Sequence, residues 1–297
     1  MAWDTEDTDG STTAIGPVPG TDLSPSIRVP WSIVVALMLL VLLCSRKIRF
    51  YLKYHSFAGI YFFFGIISIP IMLFNACDPK STRIPRLLVR RVQSPLFGIT
   101  TKMIGMERYP EGPFVIVCNH QSSLDCIGLM ELWPTRCVIL MKKMLKYAGP
   151  FGLGAILAGS IFVDRSNNRS AKDTLSQAVK IIQTKGYRVF IFPEGTRKLP
   201  KESSGTIGNS EPLLPFKRGA FNLAILSQVP IVPVVFSSQK HLIDFKEYKF
   251  VSGEYTGVVL PPISTKGLTL EDVPDLSDRV RSQMIACFNE LEQTQSR

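Results

Sequence analysis

At 297 residues the chain can hold one large domain or two small ones, and its 45 % apolar content is unevenly spread, with long apolar runs in the first third. The net charge of +10 suits either nucleic acid or an anionic membrane surface. No zinc-spaced Cys/His set, helix-turn-helix signature or basic-aromatic RNA motif is present, so the apolar runs favour the lipid bilayer as partner, with no nucleic acid. The six cysteines form no Cys-x-x-Cys pair and read as free thiols in a reducing environment.

Residues 1–26 are rich in Asp, Thr, Gly, Pro and Ser and predict a disordered acidic tail, unlike the basic start of a secretory signal. Residues 27–78 read as membrane-anchoring helices. Val29 to Cys44 is a first apolar run of ~24 Å as helix, short of a ~30 Å hydrocarbon core. Arg46, Lys47, Arg49, Phe50, Tyr51, Lys53 and Tyr54 follow, a mixture of cations and rings suited to a membrane boundary. Phe57 to Phe74 is a second run, with Pro70 predicting a bend. Basic residues flank it on both sides, which favours a re-entrant segment over a crossing that would put the remainder in a lumen. Asn168-Arg169-Ser170 is a glycosylation sequon that bears on that choice, unless Ser170 simply caps a helix. Residues 86–104, with Arg86, Arg90 and Arg91 among apolar residues and Pro95 interrupting, read as an amphipathic helix on a membrane surface or on the domain.

Residues 79–297 read as the catalytic domain. Strands are predicted at 114–118, 137–141, 160–164, 188–192 and 231–236, and helices at 122–132, 170–185 and 218–227. A late β segment at 249–260 and a helix at 276–292 follow. The alternation predicts an α/β fold with a mostly parallel sheet covered by helices, preceded by the membrane-embedded helical segment. Residues 198–215 are polar and Ser/Gly/Pro-rich, a surface insertion.

The candidate chemistry lies just past the first of these strands, in Asn119-His120-Gln121-Ser122-Ser123-Leu124-Asp125. Ser122-x-x-Asp125 before an apolar run reads as a helix start, so His120 falls on the turn with Asp125 one helical turn away. A carboxylate reaching an imidazole makes a general base, although helix capping alone also explains Asp125. Phe192-Pro193-Glu194-Gly195-Thr196-Arg197 follows another buried strand, where α/β proteins build sites, and Arg197 offers a fork of donors suited to phosphate. Asp164-Arg165 follows a third strand, and Lys217-Arg218 precedes a helix start. No nucleophile elbow, Walker loop or dinucleotide fingerprint is present, and three histidines, His55, His120 and His241, give no metal site.

Four ordered blocks carry a resemblance: Asn119-His120 with Asp125, Gly159 to Arg165, Phe192 to Arg197, and Val229 to Val234. Together they resemble the glycerolipid acyltransferase family over residues 30–290. The resemblance implies transfer of a fatty acyl group from acyl-CoA, a co-substrate, to the sn-2 hydroxyl of lysophosphatidic acid at the endoplasmic reticulum membrane, with no cofactor. It implies His120 as base, Asp125 as its orienting partner, and Glu194, Gly195, Thr196, Arg197, Arg165 and Lys217 as acceptor-binding residues. Backbone N–H groups at the 122 helix start are the candidate oxyanion donors. The alternatives are another acceptor, glycerol 3-phosphate or a different lysophospholipid, and a non-enzymatic membrane-anchored binder of anionic lipid.

Overall fold

The computed structural model describes residues 30–74, 76–164, 168–197 and 212–295. Arg165 and most of the 198–215 insertion lie outside them. The chain divides between Ser45 and Arg46 into two compact units. The first contributes helix α1 (Trp31–Cys44), apolar but for Ser32, with Trp31, Leu37, Met38 and Val41 exposed.

The second unit opens on helix α2 (Arg46–Leu73). The cation-aromatic segment and the second apolar run are thus one continuous helix, long and apolar enough to cross a membrane by length and composition. The helix continues without reversal through the stretch for which a re-entrant segment was expected. Pro70 is tolerated because it lies close to the end of the helix, where one missing N–H removes one i→i−4 bond. One stripe of α2, made of Phe50, Phe57, Phe64, Ser68 and Met72, is buried. Spacings of seven and four keep those residues on a single face. Phe57 meets Phe97 and Phe250 edge to face at 5.0 and 5.5 Å. The opposite face leaves Phe62, Phe63, Ile66, Ile67 and Ile71 exposed.

Helix α3 (Arg83–Leu88), a π turn (Val89–Gln93) and helix α4 (Ser94–Phe97) follow, and then strand β1 (Ile99–Ile104). The amphipathic helix expected to run to 104 therefore stops at Phe97. Gly98 ends it in the left-handed region (φ 63°), and a Cβ there would lie 2.8 Å from Ser252. The helix packs on the domain: Val89, Gln93 and Phe97 are buried, Arg86 donates to the carbonyls of Glu131 and Trp133, and Arg90 pairs with Glu131 at 2.8 Å.

The remaining elements are β2 (Val115–Cys118), α5 (Asp125–Leu132), β3 (Cys137–Lys142), a 3-10 turn (Lys143–Tyr147), α6 (Gly149–Leu157), β4 (Ile161–Val163), α7 (Asn168–Lys185), β5 (Arg188–Ile191), α8 (Gly219–Ser227), β6 (Ile231–Phe236), a hairpin of β7 (Ile243–Asp244) and β8 (Lys249–Phe250), β9 (Gly253–Val259) and α9 (Val273–Gln295). Seven strands form one sheet in the order β1-β9-β6-β2-β5-β3-β4. Only the β6–β9 pair is antiparallel, so the sheet is mostly parallel, as the alternation predicts.

Strand β2 is central, and all four of its residues are buried. Period-two geometry sends Phe114, Ile116 and Cys118 to one face, with Phe57 and Phe64 of α2 and Ile127 and Leu132 of α5. Val115 and Val117 go to the other face, with Ile182 of α7, Phe221 of α8 and Val280 and Met284 of α9. Each such side chain taken fully out of water contributes about 1.5–3 kcal/mol. The two clusters fix the register Val115↔Ile231 and Val115↔Val189. Because β6, β2, β5, β3 and β4 all run the same way, the loops leaving their carboxyl ends gather on one edge.

Candidate active site

Three of those loops meet around His120. Asn119, fully buried after β2, continues the strand with its side chain. Its Nδ2 donates to Phe236 O at 2.9 Å and its Oδ1 accepts from Phe236 N at 2.8 Å. The side-chain amide thus stands in for a peptide group and pins the turn to β6. Gln121 Nε2 adds donations to the carbonyls of Phe236 and Ser237, both at 2.9 Å.

His120 Nδ1 lies 2.7 Å from Asp125 Oδ2. The carboxylate is 1 % exposed and also accepts from Gln121 N (2.8 Å), Ser122 N (3.1 Å) and Gln239 Nε2 (2.7 Å). Four donors around one carboxylate fix it in place. An Nδ1–H bonded to a carboxylate leaves Nε2 as the bare nitrogen. Among the described residues Nε2 has no protein partner, and the side chain is 19 % exposed, so its free edge faces outward. Phe192 stacks on the ring at 4.0 Å and 18°, setting its plane.

Helix α5 begins at Asp125, three residues later than expected. The backbone of 121–122 is turned inward to bond Asp125, and Ser122 Oγ accepts from Leu124 N (2.9 Å), so this stretch forms turns rather than helix. The N–H groups of Gln121, Ser122 and Leu124 are therefore already hydrogen-bonded.

Glu194 has a different immediate task from the one the resemblance implies. It is 3 % exposed, with Oε1 accepting from His120 N (2.8 Å) and Oε2 from Leu214 N (2.9 Å). It braces the His120 turn against the 212–217 segment, whose Leu214 carbonyl in turn accepts from Arg281 Nε of α9 (3.2 Å). Burial raises the Glu194 carboxyl above its ordinary value, against the pull of the two N–H bonds. Gly195 takes φ 72° to turn the loop after Glu194, leaving Thr196 and Arg197 exposed. Lys217 N donates to Pro193 O (2.9 Å), which brings its backbone beside that loop while its side chain stays exposed. Asp164 pairs with Lys143 (3.2 Å).

The Arg197 charge bears on Cys126 in the first turn of α5, which puts the guanidinium within electrostatic range of the start of that helix. Burial, with help from Asp125, nonetheless pushes the Cys126 thiol up to about 11. Burial likewise raises Cys118. Neither thiol offers a thiolate at neutral pH.

Gln239 is the residue around His120 that the sequence did not single out, while Asn119 and Phe192 stood in the four blocks without a role. Gln239 holds Asp125 from 114 positions away, and its Oε1 also bonds Ser122 Oγ. Only the adjacency of β2 and β6 brings it there.

The acyltransferase family model matches residues 100–237, the stretch holding all three loops but for the tip of the third. The chain is 40 % identical to human 1-acyl-sn-glycerol-3-phosphate acyltransferase alpha, over 84 % of each chain. It is 32 % identical to the Saccharomyces cerevisiae 1-acyl-sn-glycerol-3-phosphate acyltransferase, over 77 % of this chain and 73 % of that one. The crystal structure of the 1-acyl-sn-glycerophosphate acyltransferase PlsC from Thermotoga maritima shares the fold, with a TM-score of 0.62 at 22 % identity, covering 84 % of this chain and 98 % of that one. With the sheet, the imidazole–carboxylate turn and these relatives in agreement, the chain belongs to the 1-acyl-sn-glycerol-3-phosphate acyltransferase family.

Proposed function

We propose that this chain transfers a fatty acyl group from acyl-CoA to the sn-2 hydroxyl of lysophosphatidic acid, giving phosphatidic acid and free coenzyme A. The observation that carries the mechanism is the 2.7 Å contact between His120 Nδ1 and a fully hydrogen-bonded Asp125, which leaves Nε2 free. An alcohol attacks a thioester poorly until its proton is removed. His120 Nε2 takes that proton as the sn-2 oxygen bonds to the thioester carbon, for roughly 10²–10⁴-fold in rate. Asp125 steadies the imidazolium. The tetrahedral intermediate then collapses, the carbon–sulfur bond breaks, and the coenzyme A thiolate recovers the proton from Nε2. No acyl-enzyme is needed, because the thioester is already activated, and the scheme invokes no metal or cofactor.

The acceptor's phosphate would be held by Arg197 with Lys217, and the backbone of Gly195 and Thr196 would shape that subsite. Arg165 belongs to the same proposal by resemblance. The names of the relatives support lysophosphatidic acid over glycerol 3-phosphate. Both substrates are amphiphiles with long acyl chains, which suits an enzyme whose α2 is long and apolar enough to enter a bilayer. The resemblance puts that bilayer at the endoplasmic reticulum.

The test is an acceptor panel of lysophosphatidic acid, glycerol 3-phosphate and lysophosphatidylcholine with oleoyl-CoA, run on wild type and His120→Ala side by side. Turnover of lysophosphatidic acid that vanishes in a folded variant is the expected result. Equal rates in the two proteins would sink the base assignment. Preference for another acceptor would keep the chemistry and replace the substrate.

A further inference from the structure

The 3-10 turn and α6 expose a run of large apolar side chains, Met144, Leu145, Tyr147, Phe151 and Leu153. Met144 and Tyr147 are 72 % and 75 % exposed. Exposed Lys142 and Lys146 stand among them. Single exposed apolar residues are ordinary, but a contiguous patch rimmed by charge marks a surface that meets something apolar. The position of this patch identifies its partner. The Pro150 carbonyl lies 3.1 Å from where a Cβ on Gly65 would be, and the Phe62 ring lies 3.2 Å from the Cβ position of Gly149. Gly65 and Phe62 sit in the middle of the apolar run of α2, at least ~7 Å along the helix from either of its ends. Whatever solvent surrounds that run also surrounds α6 and the turn before it.

We infer that residues 143–157 are a second membrane-embedded element, seated at the boundary of hydrocarbon and headgroups beside α2. The partner is a phospholipid bilayer with anionic headgroups. The inference rests on the reading that α2 enters the bilayer. The segment's backbone is equipped for that environment. Ala148 N donates to Leu145 O, Gly152 N donates to Ala148 O, and α6 is helical, so few polar groups face lipid unpaired. The lysines extend their stems along the apolar surface and leave the ammonium groups among the phosphates. The turn follows β3, whose carboxyl end lies on the sheet edge that carries His120. Embedding it therefore sets the catalytic edge on the membrane surface, so that an acceptor can react with its acyl chain still in the lipid.

Nitroxide labels at Tyr147→Cys, Phe63→Cys and Lys266→Cys, in full-length protein with Cys44 and Cys77 replaced by Ser, test this in phosphatidylcholine–phosphatidylserine vesicles. Labels at 147 and 63 should relax with oxygen and be shielded from a water-soluble nickel chelate, while the label at 266 should do the reverse. A label at 63 in lipid with one at 147 in water overturns this inference alone. Both in water overturns the bilayer reading of α2 as well. As a second measurement, Met144→Ser with Tyr147→Ser should lower kcat/KM on vesicle-borne long-chain acceptor about tenfold, and leave short-chain soluble substrates within about twofold. Equal losses on both substrates, or none, would count against it.

Discussion

The loop after β2 and the loop after β5 stand side by side and are built in opposite ways. In the first, Asn119, His120, Gln121, Ser122 and Asp125 spend nearly every polar group on one another or on β6. In the second, Glu194 is buried and bound at both oxygens, while Thr196 and Arg197 point to solvent. The base proposed at His120 would have to be held within a fraction of an ångström to act, which its saturated surroundings provide. The phosphate grip proposed for Arg197 would have to let the ligand in and out, which an open side chain allows. Damage to the first loop should therefore appear in kcat, and damage to the tip of the second in KM for the acceptor.

The largest effect belongs to His120→Ala, which should cut kcat by about 10²–10⁴-fold while the far-ultraviolet circular dichroism is unchanged. Asp125→Asn should come next, at about 10²–10³-fold in kcat. An amide turns one acceptor into a donor facing backbone N–H groups and no longer selects the tautomer. Arg197→Ala should raise KM for lysophosphatidic acid by about 10–100-fold and change kcat far less, the loss expected of one charge-assisted pair. A kcat effect as large as that of Asp125→Asn would erase the contrast between the loops.

The smallest expected effect is the one that joins them. Glu194→Gln keeps one acceptor but presents N–H to either His120 N or Leu214 N, and should lower kcat by about 3–10-fold. Its pH behaviour sharpens the point. Burial raises the Glu194 carboxyl above its ordinary 4.5, so the folded protein takes up this proton more readily than the unfolded chain. The stability contributed by that protonation is complete below the ordinary value and is lost as pH rises through the raised one. Activity should move the other way, because a protonated carboxyl cannot accept from both N–H groups. Acid pH should thus cost wild type activity while this group's share of stability grows, and Glu194→Gln should flatten that step in a pH–activity profile.

Much of this was legible beforehand for a physical reason. Strands β2, β5 and β6 are short, β-branched and buried on both faces, so each reads the same in isolation as in the sheet. The partnership of His120 and Asp125 spans five positions and follows from a strand-to-helix turn. What escaped depends on distance along the chain. Gln239 meets Asp125 only because β6 pairs with β2, and the bracing role of Glu194 exists only because Leu214 folds back over it. Strand β1 was hidden by the cations and apolar residues of the helix before it, although Gly98 marked the break. The continuity of α2 went unseen because a charged start followed by an apolar run looks like two pieces, whereas the buried stripe from Phe50 to Met72 runs unbroken through both.

The Asn119 side chain, paired with both polar groups of Phe236, offers a reporter that needs no substrate. The Phe236 amide proton is shielded from deuterium by a side chain rather than by a neighbouring strand. Its exchange therefore times the opening of the Asn119–His120 turn and not the melting of the sheet. Following that one proton by mass spectrometry as inhibitors or lipids are added would show which of them tighten the turn and which loosen it.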